Sequence, residues 1–325
     1  MAARSSHFIN TSRYTWLSAL TFESLSSPTS PAIKPLASLR DSFLKTGVAT
    51  LPHFLTPSAL SSAVSSCQVP GTTLTRPCFV QDGLTHNAYL LPHEPLLPPD
   101  HPRNRQLSTK VASIAADELP VGGVIPTLYE DERLVVLISA VVFGVEAAAS
   151  DYSPASSSSS SSSSPSRVYP SVDPLGRCSI NVFKKGWKHS YHFDESEFST
   201  TLNLQQPPPG FGGVFEMTPR IRSSSSEMVY DIVSDVLDHE SNPERVSRTS
   251  VSRLAFQPGT LSVFAGRYSL HRVTDVSSSD RDRLVAVLTY GRKPGFRNSE
   301  EVQKMFWGRS TPMTSSSSSP HPTSY

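Results

Sequence analysis

The second half of the chain, from Val168 onward, consists of short alternating runs that are typical of β-strands. The runs are separated by Gly, Pro and Ser residues, and strands at such close spacing favour an antiparallel sandwich or barrel. The runs are VYPSV, CSINVF, YHFDE, TTLNL, GVFEM, TLSVFAG, LHRVTDV and RLVAVLTY. The C-terminal part of the chain is therefore predicted to form a β core.

The first half of the chain has the longer period of amphipathic helices. Residues 35–47 place Leu36, Leu39, Phe43 and Leu44 on one helical face and end at Gly47, a residue that commonly terminates helices. A strand is predicted for residues 48–55 and a proline-rich loop for residues 91–103. Helices are predicted for residues 35–47, 56–64, about 108–118 and about 127–143. Helices first and strands second indicate an α+β fold.

Three segments have low sequence complexity. Nine consecutive serines, Ser156–Ser164, are followed by a shorter run at residues 223–226 and by a tail rich in Ser, Thr and Pro. Such segments have no apolar side chains to offset the entropy of ordering and are predicted to be disordered. The predicted division is a 1–30 extension, a single domain over 31–309 and a 310–325 disordered tail. Within the domain, a helical part (31–145), a disordered insertion (151–167) and a β core (168–296) follow one another.

Composition limits the classes of partner. The chain has 29 basic and 28 acidic residues, which leave a formal charge of +1 and give no support for a nucleic-acid partner. Its most apolar stretch, residues 133–145, is too short to span a bilayer. We therefore expect neither a nucleic acid nor a membrane as partner. The oligomeric state is left open.

Cysteine usage and the N-terminus bear on the compartment. Three cysteines without a CxxC pair argue against a disulfide framework and favour a reducing, cytoplasmic setting. The first 22 residues contain Arg4 and Arg13 and no acid before Glu23, which loosely resembles an organelle transit peptide. A polar terminus folded onto the domain is the alternative.

Residues 189–205, HSYHFDESEFSTTLNLQ, contain a His-x-Asp pair within a strand-like run. Residues i and i+2 of a strand point to the same face, so His192 and Asp194 project together, while Phe193 points the opposite way. A histidine nitrogen and a carboxylate oxygen at this spacing are able to hold one metal ion. The pair alone is a weak signal, because it arises often by chance.

A second histidine strengthens this interpretation. His271 begins a later strand-like run, and Arg283 stands twelve residues beyond it, at the start of an apolar run. Two histidines and one carboxylate on one face form the facial triad of non-haem iron(II) oxygenases, which leaves three coordination positions open. An arginine at the head of the next strand would grip a co-substrate carboxylate through two parallel hydrogen bonds.

The ordered set HFD…F.TTL.LQ…GG.FE…PGTL..F.GR.S.HRVT…R.R..AV..Y…PG resembles the iron(II)- and 2-oxoglutarate-dependent oxygenases. The group that it most resembles carries HRVT after a glycine-arginine strand and includes amino-acid hydroxylases, with halogenases among its relatives. Upstream pieces in the same order are SRYTWL, HNAYLLP, AADELP and YPSVDPLGRCSINVF. The resemblance thus covers nearly the whole chain.

The resemblance implies a double-stranded β-helix (jelly-roll) core with the N-terminal helices packed on it. It also implies that His192, Asp194 and His271 bind iron(II), that Arg283 binds the C5 carboxylate of 2-oxoglutarate, and that O2 is consumed. Arg281, two residues earlier on the same face, competes for the arginine role. The loop between His271 and Arg283 is one residue longer than in the family pattern, and within it SSSD replaces a glycine turn.

Other residues near these motifs are less decided. His189 and Glu195 face either the substrate or the ends of the strand that carries His192. Phe306 and Trp307 are expected to cover the core, with a lid role open. Four further histidines stand in proline-rich or polar surroundings and are predicted to lie at the surface: His86, His93, His101 and His239.

The function predicted from these features is hydroxylation of a C–H bond in a small or amino-acid-like molecule, with release of succinate and CO2. One alternative is a cupin-like binding protein or degenerate oxygenase that keeps the barrel without turnover. A halogenase is a further alternative, but it needs an open position for halide, normally gained by a small residue in place of Asp194. A serine hydrolase is disfavoured because no GxSxG motif is present.

Overall fold

The computed structural model describes residues 7–150, 166–223, 226, 228–254, 256–277 and 281–312. The run Ser156–Ser164 and residues 313–325 lie outside the described residues, so the disorder predicted for them stays a prediction. The division of the chain into an extension, one domain and a tail likewise stays a prediction.

Eight helices and thirteen strands lie within the described ranges. The helices are α1 (Phe22–Leu25), α2 (Ile33–Thr46), α3 (Pro57–Ser66), α4 (Val124–Tyr129), α5 (Glu132–Phe143), α6 (Val145–Ser150), α7 (Tyr230–Ser241) and α8 (Glu300–Trp307). The first strands are β1 (Val48–Leu51), β2 (Phe79–His86), β3 (Leu107–Ile114), β4 (Tyr169–Pro170), β5 (Cys178–Phe183), β6 (His189–His192) and β7 (Ser199–Gln205). The remaining strands are β8 (Phe215–Met217), β9 (Ser252–Leu254), β10 (Leu261–Phe264), β11 (His271–Val273), β12 (Arg283–Leu288) and β13 (Tyr290–Gly291).

Two antiparallel sheets make up most of the β structure. The major sheet has the strand order β1-β10-β7-β12-β5-β3-β2, and the minor sheet has the order β6-β11-β8-β9. Strands β4 and β13 form a separate pair. The predicted α+β class with an antiparallel β core is confirmed, whereas the jelly-roll arrangement of that core stays a prediction.

Alternation along the central strands divides the interior into two parts. In β5, β7 and β12, every second side chain packs against the helices; Ile180, Leu202 and Ala286 belong to this apolar cluster. The intervening side chains face a cavity on the opposite side of the major sheet, and strands of the minor sheet line the same cavity. Alternation along the strands thus gives the major sheet one apolar face, which packs against the helices, and one face that lines the cavity.

Helices α2 and α5 cover the apolar face. Leu36 and Phe43 of α2 are buried, but the prediction was wrong for Leu44, which is 49% exposed because each residue turns the helix by about 100°. The helix ends as predicted at Gly47, whose φ of 81° suits a residue without a side chain. Helix α5 contains the most apolar run of the sequence, and its residues from Leu134 to Val141 are all buried. No helix in the described part of the chain is long and apolar enough to cross a membrane.

The structure corrects several of the predicted elements. Residues 108–118, predicted to be helical, form strand β3 and a short 3-10 turn, Ala116–Glu118, because β3 pairs with β2 and β5 on its two sides. Tertiary pairing here overrides local propensity. The helix predicted for 127–143 is two helices, and Asp131 begins the second by accepting a hydrogen bond from Arg133 N–H at 2.9 Å. The elements that were not predicted are strands β2 and β9 and helices α1, α6, α7 and α8.

Candidate metal centre

Two histidines face each other across a strand pair. His192 ends β6, His271 begins β11, and the two are direct partners in the antiparallel register. Asp194 follows two residues after the end of β6. Its Oδ1 atom lies 3.4 Å from Nε2 of His192 and 3.4 Å from Nε2 of His271. The structure therefore brings together the three residues that the sequence singled out, as a group able to hold a metal ion.

The backbone orients both imidazole rings in the same way. His192 Nδ1 lies 2.8 Å from the carbonyl oxygen of Ser190, and His271 Nδ1 lies 2.8 Å from that of Ser269. A carbonyl oxygen only accepts, so each Nδ1 carries a proton and donates it. When the rings are neutral, as metal binding requires, their Nε2 atoms direct lone pairs at the common centre, which is the tautomer that a metal ligand needs.

The Asp194 carboxylate is fixed on its other side. Its Oδ2 accepts a short hydrogen bond from the Ser199 hydroxyl, and the Asp194 N–H donates to the carbonyl of Gly266 at 3.2 Å. Phe193 points away from the site, as predicted, and packs with ring centroids 5.6 Å from Tyr89. The carboxylate thus has one oxygen occupied and one directed at the histidines.

The charges of the three side chains shift their pKa values in opposite directions. Burial disfavours the ionised form of Asp194, but the charge of His271 and the hydrogen bonds from both histidines outweigh burial and hold the pKa of Asp194 well below its usual range. Burial lowers the pKa of His271, yet the Asp194 charge outweighs it and raises the pKa. Burial and the neighbouring His271 lower the pKa of His192. The Asp194 carboxylate is therefore ionised at neutral pH and is able to neutralise part of the charge of a bound cation.

Arg283 is a buried cation without a counter-ion. Its side chain is 3% exposed, its Nε has no hydrogen-bond partner, and no acidic group among the described residues pairs with it. Burial lowers the pKa of Arg283 to about 9, and its guanidinium lies 5.3 Å from the centre of the Phe183 ring. Arg281 is exposed. Of the two arginines considered from the sequence, Arg283 is the one whose burial calls for an anionic ligand.

One cavity of about 150 Å³ contains the triad and Arg283. Between the two ends, β5, β7 and β12 present polar and apolar side chains in alternating rows. The polar ones are Ser179 and Asn181 on β5 and Ser199, Thr201 and Asn203 on β7, and Thr289, directly after β12, adds one more. Helix α8 forms a further wall through Val302, Phe306 and Trp307, so the cover predicted for Phe306 and Trp307 lies directly over the site.

His189 and Glu195 both line this cavity. The His189 ring stacks on the His192 ring at a centroid distance of 3.8 Å, and its buried Nε2 has no hydrogen-bond partner. The Glu195 carboxylate accepts from the Ser299 hydroxyl at 2.9 Å and from the Ser299 N–H at 3.3 Å. Burial raises the pKa of Glu195. Glu195 therefore connects the segment that carries Asp194 to Ser299, the N-cap residue of α8.

The prediction of a surface position was wrong for His86. This residue ends β2, is 4% exposed, and its ring centroid lies 5.9 Å from that of His192. Burial and the nearby His192 lower its pKa to about 4, so the ring is neutral. The residues of β2, FVQDGLTH, do not alternate between apolar and polar, so no local pattern marked this strand. His93 is exposed, and His101 and His239 are half-buried; all three lie outside the cavity.

The matched family supports this geometry. Residues 177–307 match the family model described as HalD: Halogenase D. The matched segment is less than half of the chain, but it contains His192, Asp194, His271 and Arg283. The resemblance to the iron(II)- and 2-oxoglutarate-dependent oxygenases is confirmed. A comparison with curated proteins finds no match.

Several solved structures are similar to the chain. A 2OG-Fe(II) oxygenase family oxidoreductase from Burkholderia pseudomallei is 17% identical, with a TM-score of 0.45 over 80% of this chain and 92% of that one. A prolyl-4-hydroxylase from Pseudomonas putida is 13% identical, with a TM-score of 0.40 over 78% and 96%. The non-heme alpha ketoglutarate dependent epimerase SnoN from nogalamycin biosynthesis is 11% identical, with a TM-score of 0.46 over 79% and 82%. At these scores the comparisons decide nothing about the reaction.

Proposed function

We propose that the protein is an iron(II)- and 2-oxoglutarate-dependent dioxygenase that hydroxylates a C–H bond of a small, amino-acid-like substrate and releases succinate and CO2. The observation that carries the proposal is the unpaired, buried Arg283 in the same cavity as the His-Asp-His group. A metal site alone has many uses. A metal site and a cation at two ends of one cavity fit a ligand that chelates the metal through one end and carries a negative charge at the other.

The donor set fits iron(II). His192 and His271 would supply one nitrogen each and Asp194 one oxygen, which is the facial arrangement of non-haem iron oxygenases. The Nδ1 hydrogen bonds hold both rings with Nε2 toward the centre. Iron bound there would supply the oxygen chemistry, and the protein would fix geometry and exclude water.

Arg283 would bind the distal carboxylate of 2-oxoglutarate. A guanidinium grips a carboxylate with two parallel hydrogen bonds, and these are strengthened where water is excluded. The guanidinium is already desolvated in the folded protein, and its burial is unfavourable without an anion. An anion that neutralises it should therefore bind more tightly than it would to an arginine at the surface. The polar side chains of β5 and β7 would lie alongside the co-substrate.

The substrate would lie under α8, beside His189 and Glu195. The orphaned His189 Nε2 offers one hydrogen-bonding position, and Glu195 offers a negative charge at the edge of an aromatic wall. A molecule with an amino group and an apolar body fits these walls. Peptide substrates are less suited, because α8 covers the cavity.

A halogenase is the second candidate, because the family model that matches residues 177–307 is that of a halogenase. Asp194 argues for hydroxylation, since its carboxylate takes the position that a halide would need. The Asp194→Gly variant distinguishes them: with chloride present it should bind iron more weakly than the natural protein and lose hydroxylation. Chlorination by the natural protein would show that the halogenase is correct.

The proposal is tested by succinate release. Purified protein, iron(II), 2-oxoglutarate and O2 are incubated with a panel of free amino acids and other small amines, and succinate is measured with and without each compound. A hydroxylase shows succinate that depends on iron and on one class of compound, accompanied by a product heavier by one oxygen atom. A protein that binds iron(II) and 2-oxoglutarate tightly yet forms no succinate with any compound would be a binding protein or a degenerate oxygenase.

A further inference from the structure

The backbone of Ser190 connects the ligand His192 to a neighbouring strand. The Ser190 carbonyl accepts from His192 Nδ1 at 2.8 Å, and the Ser190 N–H donates to the hydroxyl oxygen of Thr109, in β3, at 3.0 Å. The residue that orients the ligand ring is therefore itself held by a side chain. Thr109 is 0% exposed, so water does not compete for this hydrogen bond.

The Thr109 hydroxyl is in turn held by His86. Thr109 Oγ1 lies 2.9 Å from His86 Nε2, and His86 Nδ1 lies 3.0 Å from the carbonyl oxygen of Asn87. Because the carbonyl accepts, the His86 proton is on Nδ1, and Nε2 accepts from the Thr109 hydroxyl. The Thr109 oxygen is then free to accept from Ser190 N–H. Every hydrogen bond in the series that leads from Asn87 to His192 therefore has an assigned donor and an assigned acceptor.

We propose that the buried hydroxyl of Thr109, held by His86, is a positioning group that fixes the ring orientation and tautomer of His192 for metal binding. The inference rests on the proposed function, because it concerns the metal ligand. Neither residue touches the metal position: Thr109 acts through the peptide of Ser190, and His86 acts through Thr109.

The location of this hydrogen-bond chain explains why side chains carry it. Strand β3 belongs to the major sheet and β6 to the minor sheet, and β6 pairs with β11 rather than with β3. A regular ladder between β3 and β6 is therefore replaced by side-chain bonds, including one from the Ser190 hydroxyl to the carbonyl of Ser108. Arg283 is on the major sheet. The contact thus sets the metal ligands of one sheet at a fixed separation from the cation of the other, which a co-substrate that spans both requires.

The other ligand, His271, is held differently. The N–H of Leu270, which follows the carbonyl that orients His271, donates to the Thr218 hydroxyl at 3.0 Å, and Thr218 N–H donates to the Leu270 carbonyl at 2.9 Å. This reciprocal pair lies beside β8 and β11 and does not reach the major sheet. Loss of Thr109 should therefore disturb His192 and leave His271 in place.

The test compares four variants with the natural protein: Thr109→Val, Thr109→Ser, His86→Phe and Thr200→Val. Valine has the shape of threonine without the hydroxyl. Thr200 is a matched control because it is also 0% exposed in a strand, but its hydroxyl has no hydrogen-bond partner. Thermal unfolding is measured first, so that each comparison is made on folded protein.

Iron(II) affinity is then measured by anaerobic titration calorimetry. Thr109→Val and His86→Phe should bind iron(II) about 10- to 100-fold more weakly, Thr109→Ser should bind nearly as the natural protein does, and Thr200→Val should be unchanged. Natural affinity in Thr109→Val, or an equal loss in Thr200→Val, would overturn the proposal.

The tautomer of His192 is measured separately, by nitrogen-15 NMR on the metal-free protein. The natural protein and Thr109→Ser should show the proton on Nδ1, while Thr109→Val should show a mixture of both tautomers. An unchanged tautomer in Thr109→Val would overturn the positioning role whatever the affinities are. Failure of the natural protein to bind iron(II) would instead refute the proposed function, and the NMR measurement would still decide the role of Thr109.

Discussion

Gly266 leaves no space between its backbone and the carboxylate of Asp194. A Cβ atom at position 266 would lie 2.3 Å from Asp194 Oδ2 and 2.5 Å from the Ser199 hydroxyl oxygen. The Gly266 carbonyl also accepts the Asp194 N–H at 3.2 Å. The glycine of the GR pair therefore allows the chain to approach the metal-ligating carboxylate closely, and its role is steric.

Gly266→Ala should consequently displace Asp194 and weaken iron(II) binding by at least about tenfold. The added methyl group would overlap the Asp194 carboxylate and the Ser199 hydroxyl that donates a hydrogen bond to it. Gly186→Ala is the control. It adds the same methyl group at an exposed turn where nothing lies within 4 Å, so it should lower stability without altering metal affinity. Calorimetric titration of both variants checks this, and unchanged affinity in Gly266→Ala would contradict the role assigned to the glycine.

The pH dependence of metal binding follows from His271. The Asp194 charge raises the pKa of His271 above its usual 6.5, so their ion pair contributes stability to the metal-free protein that is fully present below about pH 6.5. That contribution is lost as the pH rises through the raised pKa. A metal needs the Nε2 lone pair that the proton occupies. The stabilisation by iron(II) should therefore be small near pH 6 and larger near pH 8.

This prediction is checked by the difference in unfolding temperature with and without saturating iron(II), measured anaerobically across that range. The difference should vanish at every pH in His271→Gln, because the ligand is lost. A metal effect that does not change with pH in the natural protein would show that His271 is not protonated in competition with the metal.

Local patterns were sufficient to single out the three residues that the structure brings together, and the reason is geometric. His192 and Asp194 are two residues apart at the end of one strand, and His271 begins a strand with its own clear apolar pattern, so each was visible in a short window. The α2 helix and its Gly47 terminus were predicted for the same reason. The pairing of the two strands in register was visible in neither window and came from the structure.

Features that depend on distant residues were not predictable. The burial of His86 follows from the pairing of β2 with β3, a strand that local propensity assigned to a helix. The contact between Glu195 and Ser299 joins residues 104 positions apart. Which of the two arginines is buried depends on how β12 pairs with β5 and β7. Sequence spacing suggested Arg283, but the structure supplied its isolation.

Asp173 fixes the α8 wall of the cavity to the rest of the protein. This fully buried carboxylate accepts from Gln303 Nε2 at 2.9 Å, Asn298 Nδ2 at 2.7 Å and Leu175 N–H at 2.9 Å. Asp173→Ala would leave these donors buried without an acceptor. The free energy of unfolding should fall by about 2–4 kcal/mol.

Asp117→Ala is the control for Asp173→Ala, because it removes the same group from an exposed pair with Arg309. Its cost should stay below about 1 kcal/mol. Urea unfolding of both variants makes the comparison. Equal costs would mean that the Asp173 contacts do not hold α8 in solution.

Arg283 offers the sharpest test of the co-substrate. Arg283→Ala should weaken 2-oxoglutarate binding by about 2–4 kcal/mol, or roughly 30- to 1,000-fold, because a bidentate contact to a buried carboxylate is lost. Arg281→Ala removes the same charge from an exposed site two residues away, so long-range electrostatics nearly cancel, and its effect should be much smaller. Both affinities are measured by titration of the iron(II)-loaded protein with 2-oxoglutarate.

The stability of the metal-free protein gives Arg283 a second, independent signature. The buried guanidinium has no counter-ion among the residues that the structure describes, and burial lowers its pKa to about 9, so its charge opposes folding at neutral pH. Arg283→Met keeps most of the volume and removes the charge; it should be as stable as the natural protein or more stable, while losing 2-oxoglutarate affinity as Arg283→Ala does. Added 2-oxoglutarate should raise the unfolding temperature of the natural protein but not that of Arg283→Met. A large loss of stability in Arg283→Met would mean that Arg283 is paired in solution and is not held free for an anion, and damage from Arg281→Ala instead would mean that Arg281 is the residue that binds the carboxylate.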